Sequence, residues 1–230
     1  MQEENVNLVA NIPETPQKKE QTALDKIKNY FSASRLAFLG VFTAVAFALY
    51  FLEIPLMAWT PLSFLKLDFS NVFVLVTGFA LGPIAAVVVC VIKEILHALI
   101  LSQTVGVGEL ANILLTLPYV LIPAIIYKKH KGIKPVLISL LIASVAQVIV
   151  SVPVNWFLNF PFFLNLYAGT PWKEGMAFYQ QYWYFAVLFN LLKTVILSAV
   201  TLVIYKPLSK LIKRTNAKFN EIKNKKQAKL

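Results

Sequence analysis

The apolar run NVFVLVTGFALG, residues 71–82, decides how many times this chain crosses a membrane. Five longer apolar runs each approach the length of a spanning helix, at residues 36–52, 84–101, 110–127, 136–154 and 185–205. A spanning helix needs about 20 apolar residues. The run at 71–82 has only twelve, so its length also suits an interfacial or re-entrant segment. The charges of the neighbouring loops settle the question.

Basic residues cluster in three places along the sequence. Five of the 22 precede the first long apolar run, four lie within residues 128–134, and nine lie from Lys206 onward. Lysine and arginine beside membrane spans mark the cytoplasmic side, so the N-terminus and the 128–134 loop are expected on one side. An even number of crossings must separate them, and three of the longer runs lie between them. Residues 71–82, extended by 68–70, must therefore cross as well.

This pattern predicts an all-α membrane protein, a bundle of six transmembrane helices with both termini in the cytoplasm. Residues 1–34 are expected to form a cytoplasmic N-terminal segment, partly disordered, with a short amphipathic helix over 21–34. Residues 35–208 hold the bundle, and residues 209–230 form a basic cytoplasmic tail that frays into solvent.

The composition supports a membrane protein and excludes several other classes. The chain has 58% hydrophobic and 14% charged residues with a mean hydropathy of +0.66, against about 45–50% and about 25% in soluble domains. The net charge of +11 comes from basic residues that lie mostly beside the predicted spans, which disfavours nucleic acid as a partner. Cys90 has no cysteine to pair with, and two histidines predict no metal site. No phosphate-binding loop, metalloprotease motif or nucleophile elbow occurs, so an enzyme is not expected.

Polar residues inside the last apolar run require a partner. Asn190, Lys193 and Thr194 share one helical face, and a lysine inside the membrane is costly unless it faces the bundle interior. Lys193 could contact a ligand, or it could pair with Glu94 for structural reasons. A proton relay through Glu94 is a further alternative.

Two long connections, residues 53–70 and 155–183, are rich in aromatic side chains. They could form an interfacial aromatic belt, a lid over a binding site, or both. Asn155 and Asn159 follow the fifth apolar run, and their amides can donate and accept hydrogen bonds. Amides among aromatic rings suit a flat, neutral ligand with polar edges better than an ion.

Small residues recur on the first predicted helix. Ala44 and Ala48 lie one turn apart, a spacing that allows another helix to approach closely within a membrane. Packing inside the bundle would explain the same pattern.

Two stretches carry a resemblance to a known family: LKLDFSNVFVLVTGFALGPIAAVVVCVIKEILHALI (65–100) and GVGELANIL (106–114). They resemble the substrate-binding S components of bacterial energy-coupling factor vitamin transporters, and most closely the riboflavin-specific members. The similarity covers roughly residues 35–208.

The resemblance implies a vitamin bound near the outer face, beneath the first loop. Riboflavin would be the transported ligand, with no separate cofactor. The implied contacts are Asn155, Asn190 and Lys193, joined by Phe64, Lys66 and Asp68. The family also implies a transmembrane coupling subunit and two cytoplasmic ATPases as partners.

Two further points follow from the resemblance. Ala44 and Ala48 match the family's contact with the coupling subunit. This chain has Lys93-Glu94 where the riboflavin members commonly show Lys-Asn, and the vitamin assignment is weakened if that asparagine helps to shape the pocket. The alternatives are an S component for another vitamin or flavin relative, a self-sufficient proton-coupled secondary transporter, and a membrane-assembly protein.

Overall fold

The structure is a computed structural model that describes residues 30–31, 33–60, 62–102 and 104–227. Its elements, in chain order, are α1 (Ala33–Tyr50), β1 (Glu53–Pro55), β2 (Lys66–Asp68), α2 (Ser70–Leu81), α3 (Pro83–Ile100), α4 (Val107–Lys129), α5 (Ile133–Val154), a π-helical segment (Asn155–Asn159), α6 (Phe160–Ala168) and α7 (Trp172–Gln227). Contacts divide the chain into two units, Met1–Leu36 and Ala37–Leu230, and the helix bundle belongs to the second unit. The expected disorder and most of the helix expected over 21–34 lie outside the described residues.

Helix α2 lies at the centre of the bundle. Eleven of its twelve residues are buried, and it packs against α3, α4 and α7. A Cβ atom at Gly78 would lie only 2.8 Å from the Cβ of Ala124 in α4. Glycine at this position therefore lets the two helices approach closely. The short run on which the predicted topology depends is the core helix of the bundle.

Gly82 and Pro83 divide α2 from α3. Gly82 has φ +94°, a conformation that side chains with a Cβ rarely adopt, and its N–H donates to the carbonyl of Gly78. Pro83 occupies the first turn of α3, where its missing N–H would have no intrahelical partner anyway. These two residues start a new helix immediately after α2.

A small β-hairpin joins α1 to α2, which the all-α prediction did not include. The strands β1 and β2 pair antiparallel, with Glu53 opposite Asp68 and Pro55 opposite Lys66. The ammonium group of Lys66 also contacts the carboxylate of Glu53. Proline in this connection disfavours a helix, and strand pairing satisfies backbone groups that a helix would otherwise have paired.

The predicted loop over residues 155–183 is wrong, because the structure there is largely helical. The helix of α5 continues through the π-helical segment into α6, which ends at Gly169 with φ +65°. Buried side chains of Phe160, Phe163 and Leu164 hold α6 against the bundle. Aromatic enrichment at this place reflects a packed helix as well as a binding surface.

Within the part of the chain that the structure describes, four helical stretches are long and apolar enough to cross a membrane, namely Pro83–Ile100, Val107–Lys129, Ile133–Ala168 and Trp172–Ile204. Two shorter apolar helices, Arg35–Tyr50 and Ser70–Leu81, accompany them. Helix α7 has a kink at Tyr182 and continues to Gln227, so the expected fraying after residue 208 is not observed. Lysine, alanine, leucine and glutamate are good helix formers, which favours this extension.

Candidate functional site

A cavity of about 350 Å³ opens at one end of the bundle. It lies where α1 and α3 end and α4 begins, and the hairpin, α6 and α7 close its other sides. The residues that line it are Tyr50, Phe51, Glu53, Phe64, Leu65, Lys66, Asp68, His97, Leu101, Thr104, Gly108, Glu109, Ala111, Asn112, Leu115, Asn159, Phe163, Tyr167, Phe189 and Lys193. A cavity of this size with mixed lining is typical of small-molecule sites.

Aromatic rings form one wall of the cavity. Phe64, between the strands, stacks on Phe163 of α6 with ring centroids 4.6 Å apart and an interplanar angle of 3°. Phe163 in turn stacks on Tyr167 at 5.9 Å. On another side, the rings of Tyr50 and His97 lie 4.0 Å apart. Flat apolar surfaces of this kind suit a planar ring system.

Four buried charges are grouped beside the cavity, and two of them, Asp68 and Lys193, line it. Asp68, Lys93, Glu94 and Lys193 are each at most 4% exposed. Lys93 forms ion pairs with Asp68 at 2.7 Å and with Glu94 at 2.9 Å. Two lysines and two acids leave the group formally neutral, which lowers the large cost of burying each charge.

Lys93 is the hub of this group. Its ammonium group also donates to the side chains of Ser70 and Asn71, and it lies 4.6 Å from the ring centroid of Tyr50. It therefore connects α1, the start of α2 and α3. The N–H groups of its ammonium group donate to protein acceptors, and Lys93 does not line the cavity.

Lys193 is placed differently. It lines the cavity, and its ammonium group donates to the Oδ1 atom of Asn112 at 3.4 Å. Among the described residues, Lys193 forms no ion pair within 4.0 Å, and the partner of Glu94 is Lys93. The structure does not show the alternative of a Lys193–Glu94 ion pair, and the Lys193 ammonium group retains donor capacity toward the cavity.

The structure brings four of the six sequence-predicted ligand contacts to the cavity: Phe64, Lys66, Asp68 and Lys193. Asn155 and Asn190 are fully buried behind the wall. The Asn155 amide donates to the carbonyl of Ser151, and the Asn190 amide donates to the carbonyl of Ala186. Their role in binding stays a prediction.

The cavity also contains polar residues outside the set of contacts that the resemblance implies. One of them is Asn159, whose amide the sequence analysis, together with that of Asn155, identified as suited to a flat ligand. Asn159 donates to the Oδ1 atom of Asn155 at 2.9 Å, while its own buried Oδ1 atom has no protein partner. Glu109 accepts from Thr104 and pairs with Nδ1 of His97 at 2.7 Å. Glu109 lies in the first turn of α4, and its side chain joins α3 to α4 through His97.

Their sequence signals were weak. Asn159 stands four residues after Asn155, which places both on one helical face. Asn112 is part of the quoted GELAN sequence, but nothing in that sequence shows which charges it bridges. Among the described residues, no group of three or more histidine, cysteine, aspartate or glutamate side chains could hold a metal ion.

Two alanines of α1, Ala44 and Ala48, lie on its outer face. Ala44 and Ala48 are exposed, whereas Ala46 between them is completely buried. The alternative that Ala44 and Ala48 pack inside the bundle is therefore not supported.

A protein-family model matches most of the chain. The model described as "ECF transporter, substrate-specific component" matches residues 34–205.

Curated relatives and a solved structure agree with that match. The chain is 29% identical over 180 residues to riboflavin transporter RibU of Staphylococcus aureus (strain TCH60), covering 78% of this chain and 93% of the relative. It is 30% identical over 129 residues to riboflavin transporter FmnP of Bacillus subtilis (strain 168), covering 55% and 67%. A structure titled "Structure and mechanism of the S component of a bacterial ECF transporter" superimposes with a TM-score of 0.61 at 30% identity, covering 78% of this chain and 98% of that chain.

Proposed function

The chain belongs to the substrate-specific components of ECF transporters, and from this premise we propose that it binds riboflavin and delivers it for ATP-driven uptake. It is a multi-pass membrane protein and a transporter component, not an enzyme. The relatives named above are riboflavin transporters, which supports the choice of ligand.

The observation that carries the ligand assignment is the contrast between the two sides of the cavity. Riboflavin has a flat tricyclic ring with an apolar benzenoid end, a polar pyrimidine end and a chain of hydroxyl groups. The stacked wall of Phe64, Phe163 and Tyr167 matches the ring faces. The donors and acceptors of Lys193 and Asn159 match a ring edge that carries both carbonyl and N–H groups.

The predicted contacts have distinct parts in this proposal. Phe64 covers the ring, and Lys66, Asp68 and Lys193 provide polar groups at the wall. Asn155 and Asn190 support the wall from behind, where Asn155 accepts a hydrogen bond from the Asn159 amide.

We propose six crossings, with α1 and α2 joining the four longer helical stretches, and both termini in the cytoplasm. The cavity lies at the end of α4 opposite Lys128 and Lys129. Since basic loops favour the cytoplasmic side, the cavity opens outward in this topology.

Transport requires partners in this proposal. The chain has no phosphate-binding loop sequence, so ATP hydrolysis would come from two cytoplasmic ATPases through a transmembrane coupling subunit. The exposed alanines Ala44 and Ala48 form the proposed contact with that subunit. Small side chains there let a partner helix approach closely.

Titration of the purified protein with riboflavin tests the ligand. Fluorescence of the flavin should be quenched on binding, with one riboflavin bound per chain, and biotin as a control ligand should not compete. The assignment would be overturned if the titration produced no quenching and no calorimetric heat.

A second experiment separates this function from a self-sufficient carrier. The chain alone, in liposomes with a proton gradient, should not accumulate riboflavin, whereas the chain with its coupling subunit and ATPases should do so on addition of ATP. Uptake by the chain alone would favour the secondary transporter.

A further inference from the structure

We propose that Glu94, which does not line the cavity, positions the ammonium group of Lys193 for the ligand by fixing the orientation of Asn112. The proposal rests on the proposed function, because it assigns Lys193 to the bound vitamin. Glu94 is a positioning residue in this scheme, since it acts through another side chain.

The side-chain amide of Asn112 lies between acids and a lysine. Its Nδ2 atom donates to Glu94 Oε1 at 2.5 Å and, more weakly, to Asp68 Oδ2 at 3.3 Å. Ionised carboxylates only accept hydrogen bonds, so they must face the amide nitrogen and not its oxygen. The Oδ1 atom of Asn112 is then directed to Lys193 Nζ, 3.4 Å away.

Glu94 itself is held rigidly. Its Oε1 atom also contacts Lys93 Nζ at 2.9 Å, and its Oε2 atom accepts a hydrogen bond from the Tyr50 hydroxyl at 3.3 Å. The side chain is completely buried. It therefore ties α1, α3 and α4 together beside the cavity.

The arrangement keeps the Lys193 charge available. A carboxylate directly beside Lys193 would pair with its ammonium group and compete with a ligand. An amide oxygen fixes the ammonium group without cancelling its charge. Glu94 balances the charge of Lys193 without touching it, because the side chain of Asn112 lies between them. This gives a structural reason for Lys93-Glu94 in this chain.

A double-mutant cycle on riboflavin affinity tests the link. Glu94→Gln retains the volume and an acceptor oxygen, and it should weaken binding about tenfold. In the Lys193→Met background the same change should alter affinity less than about twofold, because its effect depends on Lys193. Equal losses in the two backgrounds would overturn the proposal.

Exchanging the acid and the amide distinguishes positioning from charge balance. Glu94→Gln combined with Asn112→Asp keeps two acids in the cluster but places one of them directly beside Lys193. Binding should stay at least about tenfold weaker than in the wild type. Recovery of wild-type affinity would mean that only the number of charges matters.

A ligand-free measurement separates failure of this link from failure of the proposed function. Thermal unfolding shifts of Glu94→Gln and Lys193→Met should be non-additive in the unliganded protein and additive when Asn112→Leu is also present. Additive shifts with Asn112 intact, or coupling that persists without it, would overturn the link whatever the chain binds. Absence of riboflavin binding by the wild type would instead overturn the proposed function.

Discussion

The rings of Phe64 and Phe163 lie parallel, 4.6 Å apart, although 99 positions separate them in the sequence. Phe64 belongs to the connection between the two strands, and Phe163 belongs to α6. Their contact closes the cavity wall between a non-helical connection and a helix.

Removing the ring of Phe64 tests that wall. Phe64→Ala should weaken riboflavin binding about threefold to tenfold, since an aromatic pair contributes about 0.5–1.5 kcal/mol beyond its buried area. Dissociation measured by stopped-flow fluorescence should become faster. Trp59→Ala is the matched control, because Trp59 lies in the same connection but is 83% exposed and does not line the cavity. Equal effects of both changes would contradict a specific role for Phe64.

Lys193 is expected to be the strongest polar contact. Lys193→Met keeps the length of the side chain and removes its charge, and it should weaken binding at least about tenfold by calorimetry. Leu192→Met, on the exposed side of the same helix, should bind normally. If Lys193→Met bound riboflavin with wild-type affinity while its unfolding temperature fell, the lysine would serve the fold alone.

The unpaired acceptor of Asn159 should bind a ligand N–H group. Asn159→Leu keeps the size of the side chain but removes this acceptor, and affinity should fall about tenfold. Asn165→Ala, an exposed position on α6, serves as the control and should leave affinity unchanged. Unchanged titration of Asn159→Leu would show that its oxygen meets water and not the ligand.

Binding and coupling should depend on different surfaces. Replacing both Ala44 and Ala48 with tryptophan should leave riboflavin affinity near normal, because both side chains face outward from α1. The variant should fail to co-purify with the coupling subunit and should not transport. Ala46→Trp is the contrasting variant, since Ala46 is completely buried and a large ring there should prevent folding. Normal transport by the double variant would place the partner contact elsewhere.

The close approach of α2 and α4 should limit what Gly78 tolerates. Gly78→Ala would place its Cβ 2.8 Å from that of Ala124, and overpacking should cost about 1–3 kcal/mol of stability. Thermal unfolding in detergent should show this loss, and adding Ala124→Gly should recover part of it. Gly40→Ala, with nothing within 4 Å of the new Cβ, should not destabilise the protein. A neutral Gly78→Ala would contradict tight helix packing.

The sequence determined the membrane class and most helix positions. Membrane spans are recognised from the length of apolar runs, and their orientation from the basic residues beside them. Both depend only on composition along the chain. The run at 71–82 was predicted to be a helix from the even number of crossings required between two basic segments, and the structure has α2 at this place. Residues 155–183 were misread as a loop because aromatic and polar residues there resemble an interface, whereas packing of Phe160 and its neighbours made them helical.

The tertiary structure decided which charges face one another. Sequence placed Lys93, Glu94 and Lys193 inside the membrane, but side-chain pairing depends on helix rotation and on which elements adjoin, and neither is local in sequence. In the folded bundle Glu94 forms an ion pair with Lys93, and Lys193 donates to the side-chain oxygen of Asn112 on α4. Because a buried charge must find its partner across helices, only the packed bundle could assign Lys193 to the cavity.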